Sequence, residues 1–130
     1  MEKKKILLIE DNAALRENIA ELLGLSGFET IIAENGELGV ELAKQQKPDL
    51  IICDVMMPAL DGYGVLHALS SHKGTSSIPF IFLTAAAGQS DFRRGMLMGA
   101  DDYITKPFEE TDLLKTIKAH LGLEKFHPVF

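Results

Sequence analysis

The segment from Leu50 to Gly62 restricts the fold more than any other part of the chain. Four consecutive apolar residues, Leu50 to Cys53, lead directly into a single carboxylate, Asp54. A strand that is apolar on both faces is typical of a parallel sheet covered by helices. Because such sheets bind ligands at the carboxyl ends of their strands, Asp54 is expected at the functional edge. There it could bind a metal, act as a base or accept a chemical group, or it could simply cap the next helix.

Five segments have the length and composition of buried strands, and stretches with helical spacing of apolar residues separate them. The predicted strands are Ile6–Ile9, Glu29–Ala33, Asp49–Cys53, Pro79–Leu83 and Tyr103–Ile104. Asn12 is expected to cap the first helix and Asp61 the third, and Gly122 is expected to end the last. This alternation predicts the α/β class, as a three-layer α/β/α sandwich with a parallel sheet of five strands and five helices.

The size and charge of the chain limit the functions it can have. Its 130 residues suffice for one domain, which we expect to span residues 1–122. Residues 123–130 would then be a free end, a partner-binding tail or the start of a linker. The net charge of −6 argues against broad contact with nucleic acid or an anionic membrane. No apolar run approaches the roughly 20 residues of a membrane helix, so we expect a cytoplasmic protein.

Polar side chains follow four of the five predicted strands. They are Glu10 and Asp11 after the first strand, Asp54 after the third, Thr84 after the fourth and Lys106 after the fifth. Because parallel strands end at the same edge, the three carboxylates are expected to lie together and to repel one another unless a cation joins them. Mg²⁺ fits this set, since it binds through carboxylates, water and phosphate oxygens. A lysine and a threonine beside such a metal are typical of phosphoryl transfer, which depends on positioning and on charge neutralisation.

Four motifs, in this order and at these spacings, resemble those of the response regulator receiver domains of bacterial two-component signalling. The motifs are Ile6–Asn12, Pro48–Pro58 with Asp61-Gly62, Leu83–Ala85 and Gly99–Phe108. The resemblance covers roughly residues 4 to 121. It implies the flavodoxin-like fold of the chemotaxis receivers, with the strand order 2-1-3-4-5.

The resemblance implies a role for the acidic residues and the lysine at that edge. Asp54 would be the phosphoacceptor, which takes a phosphoryl group from the phosphohistidine of a sensor histidine kinase or a phosphotransfer protein. Asp11, Asp54 and the backbone carbonyl of Met56 would ligate Mg²⁺, and Glu10 would act through a water molecule. Lys106 would contact the phosphoryl oxygens.

The same resemblance implies a switch. Thr84 would move to bond a phosphoryl oxygen, and Tyr103 would follow into the vacated space. This movement would change the surface of the fourth helix, fifth strand and fifth helix, through which the protein would bind an effector or output domain or form a homodimer. The bond between Lys106 and Pro107 is expected to be cis. Direct contact with nucleic acid or membrane is not expected.

Two positions next to the expected phosphoryl group carry side chains that cannot hydrogen-bond water. Met56 lies two residues after Asp54, and Ala86 lies two residues after Thr84. Both positions flank the path of an attacking water molecule if the resemblance holds. We therefore predict a phosphorylated state with a long lifetime.

Three other functions are alternatives, and the sequence disfavours each of them. A Mg²⁺-dependent phosphohydrolase of the haloacid dehalogenase type would place its nucleophile after the first strand and a second Asp two residues later. In this chain the residue two positions after Asp54 is Met56. A flavin carrier would need a phosphate-binding loop after the first strand. This chain has Glu10 and Asp11 there, and they would repel the flavin phosphate. A binding module that has lost phosphorylation would not need the complete acidic set. We expect a phosphoacceptor domain that catalyses only its own phosphoryl uptake and slow loss, and not a turnover enzyme.

The remaining charged side chains allow two interpretations, a charged dimer face or a solvated surface, and we favour the solvated surface. They include Arg93, Arg94, Asp101, Asp102, Lys115 and Lys118. The four histidines lack metal-ligand spacing and are expected on the surface.

Overall fold

The computed structural model of the chain describes residues 3–85 and 89–123. The strands are β1 (Lys5–Ile9), β2 (Glu29–Ala33), β3 (Leu50–Asp54), β4 (Phe80–Thr84) and β5 (Asp102–Thr105). The helices are α1 (Ala13–Leu25), α2 (Gly36–Gln46), α3 (Gly62–Ser70), α4 (Gln89–Leu97) and α5 (Glu110–His120). The predicted alternation of strand and helix is therefore confirmed in the described part of the chain.

The five strands form one sheet in the order β2-β1-β3-β4-β5, and every neighbouring pair is parallel. Successive side chains of β1 point to opposite faces, so Leu7 packs into one hydrophobic layer and Leu8 into the other. Helices α2 and α3 cover the first layer, and α1 and α5 cover the second. This is the three-layer α/β/α sandwich, with the strand order, that the sequence and its resemblance predicted.

Strands β3 and β4 each extend one residue past their predicted carboxyl ends, and these two extra residues are functional candidates. Asp54 is the last residue of β3 and lies in register with Leu83 of β4. Thr84 is the last residue of β4 and lies in register with Thr105 of β5. Parallel pairing continues to the polar residues, so the sheet itself sets where their side chains begin. The sequence pattern placed these ends early because it followed hydrophobicity alone.

The helix ends follow the predicted signals. The side chains of Asn12, Asn35 and Asp61 each accept a hydrogen bond from a backbone N–H in the first turn of α1, α2 and α3. Gly122 follows the end of α5 with φ of +72°, a conformation that glycine adopts without steric cost. The predicted cap role of Asp61 and the predicted stop at Gly122 are confirmed.

The loop between β3 and α3 contains an alanine in the left-handed region. Ala59 has φ of 67° and is exposed, so its methyl group adds strain without being buried. We expect Ala59→Gly to raise the free energy of unfolding by about 0.5–1 kcal/mol, because glycine adopts this φ freely. Urea unfolding measures the change. The control Ala20→Gly, inside α1, should lower the same free energy by about 1 kcal/mol. A loss of stability in Ala59→Gly would contradict the strain.

Candidate functional site

Three carboxylates meet at the carboxyl edge of the sheet. Oxygen atoms of Glu10, Asp11 and Asp54 all lie within 4.8 Å of one another. Glu10 is 0% exposed and Asp54 is 5% exposed, whereas Asp11 lies at the surface. The structure therefore brings together the acidic residues that the sequence predicted to converge.

The sheet register produces this arrangement. Ile9 of β1 lies opposite Cys53 of β3. The residues that follow them in the chain, Glu10 and Asp54, are therefore neighbours. The Glu10 backbone N–H donates to the carbonyl of Ala33, 3.1 Å away, which continues the pairing of β1 with β2. The chain then turns into α1, and this turn carries Asp11 outward. Cys53 is fully buried, and burial raises the pKa of its thiol, so it acts as a core residue.

Lys106 supplies the positive charge of the site. Its Nζ lies 3.3 Å from Oε1 of Glu10 and 3.4 Å from Oδ2 of Asp54. The Lys106 backbone N–H donates to the carbonyl of Thr84 at 2.7 Å, which holds the residue at the end of β5. Its peptide bond to Pro107 is cis, as the resemblance implied. One ammonium group thus bridges the two buried carboxylates.

The charge of the site is not balanced by Lys106 alone. Burial raises the pKa of Glu10 to about 7, and the charge of Asp54 also raises it. The Asn12 backbone N–H, which donates to Oε2 of Glu10 at 3.1 Å, and the ammonium of Lys106 act in the opposite direction. A further cation would favour ionisation of all three acids.

The donor set fits Mg²⁺. All three clustered side chains offer carboxylate oxygens, the ligands that a hard divalent cation prefers, and the cluster contains neither histidine nor cysteine. Two of the carboxylates are buried and one is exposed, which leaves room on the solvent side for the water molecules that Mg²⁺ retains. The site could therefore hold this ion.

The described residues include three other predicted site residues: Met56, Thr84 and Tyr103. The Met56 backbone N–H donates to Oδ1 of Asp54 at 3.3 Å, while the Met56 side chain is 70% exposed at the mouth of the site. Thr84 is fully buried beside Leu83, the register partner of Asp54. Tyr103 is partly exposed on β5 and helps to line a surface cavity of about 370 Å³ between β5 and α5. Ala86 lies outside the described residues.

Three contacts were not predicted from the sequence. The Arg16 guanidinium on α1 donates from Nη1 to the backbone carbonyl of Glu10, 2.9 Å away. The Arg94 guanidinium on α4 lies 3.9 Å above the centre of the Tyr63 ring. The third contact pairs Nε2 of His120 with Oδ2 of Asp102 at 2.8 Å. The only sequence signal for the Arg16 contact was its helical position four residues after the cap Asn12. The other two contacts depend on how elements distant in sequence pack against each other.

The sequence model of the protein family described as the response regulator receiver domain matches residues 6–118 of the chain. The chain belongs to the response regulator receiver domain family. This receiver domain is 41% identical over 121 residues to a probable transcriptional regulator, ycf27, of Porphyridium aerugineum, and covers 49% of that protein. The match includes 93% of this chain. The receiver domain thus spans about half the length of the ycf27 relatives that it matches.

Shorter relatives and solved structures match over nearly their whole length. The receiver domain is 39% identical to the protein PilH of Pseudomonas aeruginosa over 118 residues, which are 91% of this chain and 98% of PilH. The receiver domain of a Pseudomonas aeruginosa sensor histidine kinase, solved with a magnesium ion coordinated in its active site cleft, has a TM-score of 0.87 and 30% identity. That match covers 93% of this chain and 99% of the other. The chemotaxis protein CheY4 of Vibrio cholerae has a TM-score of 0.87 and 27% identity, over 91% of this chain and 98% of its own.

These matches confirm the family and the fold that the motifs implied.

Across residues 3–85 and 89–123, none of the helices combines the length and the apolar character that a bilayer crossing requires.

Proposed function

We propose that this receiver domain is a phosphoacceptor switch that accepts a phosphoryl group on Asp54. The donor would be the phosphohistidine of a sensor histidine kinase or of a phosphotransfer protein. The observation that carries the proposal is the geometry around Asp54, a nearly buried carboxylate with Lys106 at 3.4 Å and two further acids in one cluster. An acid that only capped a helix would not need these neighbours.

The geometry restricts how the reaction would occur at Asp54. Oδ1 of Asp54 is held by the Met56 N–H, and Oδ2 faces Lys106, so the carboxylate is oriented before a donor arrives. An oxygen of the ionised Asp54 would attack phosphorus, the O–P bond would form, and the bond from phosphorus to the imidazole nitrogen would break. The imidazole nitrogen would leave with the electron pair of the broken bond, as a neutral imidazole, because the other ring nitrogen of the phosphohistidine carries a proton. Lys106 would remain next to the charge that develops on the phosphoryl oxygens.

Glu10, Asp11 and Asp54 would hold Mg²⁺ in the proposed site. Asp11, Asp54 and the backbone carbonyl of Met56 would be direct ligands, and the buried Glu10 would act through water. The ion would neutralise negative charge on the carboxylates and on the incoming phosphoryl group. The magnesium ion in the active site cleft of the Pseudomonas aeruginosa histidine kinase receiver domain supports a metal site here.

Thr84 and Tyr103 would convert phosphorylation into a change of surface. Thr84 ends β4 next to the register partner of Asp54, which supports a role in which its hydroxyl would rotate to reach a phosphoryl oxygen. Tyr103 lies on the neighbouring strand, in register with Phe82, and would move into the space that Thr84 leaves. The surface of α4, β5 and α5 would then differ between the two states, as a two-state switch requires.

The partners follow from this switch as proposals. Besides the kinase or phosphotransfer protein, the α4, β5 and α5 surface would bind an effector or an output domain, or a second copy of the chain. Since the chain spans about half of its ycf27 relatives, an output domain in a longer protein is one form of this proposal. The domain boundary at residue 122 and the cytoplasmic location stay predictions from the sequence.

Incubation of the protein with phosphoramidate or acetyl phosphate tests the proposed function. With Mg²⁺ present, we expect intact mass spectrometry to detect one phosphoryl adduct for each chain, and we expect no adduct when the metal is removed with a chelator. Steady turnover of a phosphate ester without a lasting adduct would indicate the phosphohydrolase instead. Absence of any adduct with every small donor and Mg²⁺ would contradict the switch.

The lifetime of the adduct should depend on Met56. We expect Met56→Asn to increase the rate of phosphate loss about 10-fold or more, since an amide at this position can orient an attacking water molecule. Release of inorganic phosphate from the isolated adduct measures the rate. Met96→Asn is the matched control, because Met96 is also exposed but lies on α4. Equal rates in Met56→Asn and the wild type would contradict this role.

A further inference from the structure

Arg16 contacts the acidic segment through the backbone. It lies on α1, where its own N–H donates to the carbonyl of Asn12 at 2.9 Å as part of the first helical turn. Helical side chains tilt toward the N-terminus of the helix, so the guanidinium reaches back to the end of β1. There Nη1 donates to the carbonyl oxygen of Glu10 at 2.9 Å, in a partly buried contact. The hydrogen bond is charge-assisted and therefore stronger than one between neutral groups.

The bond from Arg16 fixes a peptide plane that leads to Asp11. The carbonyl of Glu10 and the N–H of Asp11 belong to one planar peptide unit, so holding the carbonyl also sets the direction in which Asp11 leaves the sheet. Other contacts hold the neighbours of this unit: the Glu10 N–H donates to the Ala33 carbonyl, and the Asn12 N–H donates to the Glu10 carboxylate. Within the described part of the chain, no hydrogen bond from another residue reaches the Asp11 side chain. The orientation of this exposed acid thus depends on its backbone.

The guanidinium does not form an ion pair with the acids near it. Among the described residues, the salt bridges of the cluster come from Lys106, and no carboxylate lies within 4.0 Å of Arg16. An arginine that served only to neutralise charge would be expected to contact a carboxylate, since its planar fork matches that geometry. Its bond to a neutral carbonyl indicates that it orients the chain.

We propose, on the basis of the function above, that Arg16 is a positioning residue for the divalent cation, because it holds the Glu10–Asp11 peptide in the orientation that metal binding requires. Two physical effects of Arg16 on metal affinity have opposite signs. Its positive charge repels a cation and weakens binding, whereas its hydrogen bond orients Asp11 and strengthens binding. Removal of the side chain therefore distinguishes the two effects by the direction of the change.

The test is the Mg²⁺ dissociation constant of the full chain, measured by calorimetric titration without any phosphodonor. We expect Arg16→Met to weaken binding about 10-fold, the size of effect typical when a residue that orients a metal ligand is removed. Arg16→Lys keeps the charge and a donor and should recover part of this loss. Arg93→Met removes an exposed arginine from α4 and serves as the control for a general change of charge, with an affinity close to that of the wild type. Circular dichroism and urea unfolding of the metal-free variants verify that each is folded.

The outcomes separate this inference from the proposed function. If the wild type binds Mg²⁺ and Arg16→Met binds it equally or more tightly, the positioning role is wrong and the proposed function stands. A wild type that binds no Mg²⁺ would contradict both. If Arg16→Met does not fold, Arg16→Lys decides: an affinity lower than that of the wild type supports the positioning role, and an equal affinity contradicts it, since the charge is unchanged.

Discussion

Asp54→Asn should give no phosphoryl adduct under conditions in which the wild type is fully modified. The amide has nearly the same shape as the carboxylate but lacks the negative charge and the nucleophilic oxygen that an acyl phosphate requires. The fold should survive, because removal of one of two neighbouring buried carboxylates reduces their repulsion and leaves Lys106 paired with Glu10. Intact mass spectrometry after incubation with phosphoramidate and Mg²⁺ measures the result.

Asp61→Asn is the matched control for this experiment. Asp61 lies seven residues after Asp54 and caps α3 by accepting a hydrogen bond from the Gly64 N–H at 2.9 Å. Asparagine is an equally good helix cap, so the variant should remain folded and should form the adduct as the wild type does. An adduct of undiminished yield in Asp54→Asn would assign the phosphoryl group to another residue and overturn the proposed site.

Gly62→Ala should strongly lower the stability of the protein. A Cβ atom at Gly62 would collide with the backbone carbonyl oxygen of Asp54 and would lie 2.8 Å from Cα of Val55. Both obstacles are backbone atoms at the end of β3, so no side-chain rotation can relieve the contact. We expect the free energy of unfolding to fall by about 3 kcal/mol, as in severe overpacking. Urea unfolding measures the change.

The position of Gly62 also ties this prediction to function. Its N–H donates to the carbonyl of Val55 at 2.9 Å, which closes the loop directly behind Asp54. The variant should therefore be phosphorylated more slowly even under conditions in which it is folded. Gly24→Ala is the control, since a Cβ at this exposed helical position would meet no atom within 4 Å beyond its chain neighbours and its own helix backbone. Alanine there should raise the free energy of unfolding by about 0.5–1 kcal/mol. Equal stabilities for Gly62→Ala and the wild type would contradict the close approach.

Hydrophobic runs and strand-end acids made most of the fold predictable. Buried strands such as Leu50 to Cys53 are apolar at every position because helices cover both faces, and parallel pairing then brings Glu10 and Asp54 to one edge. The specific roles of these residues came from the family motifs, because a carboxylate between a strand and the next helix is equally compatible with a helix cap, as Asp61 demonstrates.

Side-chain burial and long-range contacts could not be predicted in the same way. Glu10 and Asp11 are adjacent in sequence, yet one is fully buried and the other exposed, because the strand ends and the chain turns between them. The bond of Arg16 to the Glu10 carbonyl depends on the direction of one backbone oxygen, which no residue pattern specifies. His120 is partly exposed, in agreement with its expected surface position. Its pairing with Asp102 joins the last residue of α5 to the first residue of β5, and the sequence does not specify this contact.

The contact of Arg94 with Tyr63 adds a weak restraint on α4. Tyr63 also packs edge-on against Phe82 of β4, with ring centres 5.3 Å apart. The exposed arginine on α4 therefore contacts a ring that is itself packed in the core. An exposed cation–π pair contributes only about 0.5–1 kcal/mol. Such an energy changes the ratio of two conformers by a factor of about two to five, since a tenfold change requires about 1.4 kcal/mol. If phosphorylation moves α4 as proposed above, the Arg94–Tyr63 pair would favour the present position of α4 by no more than this factor.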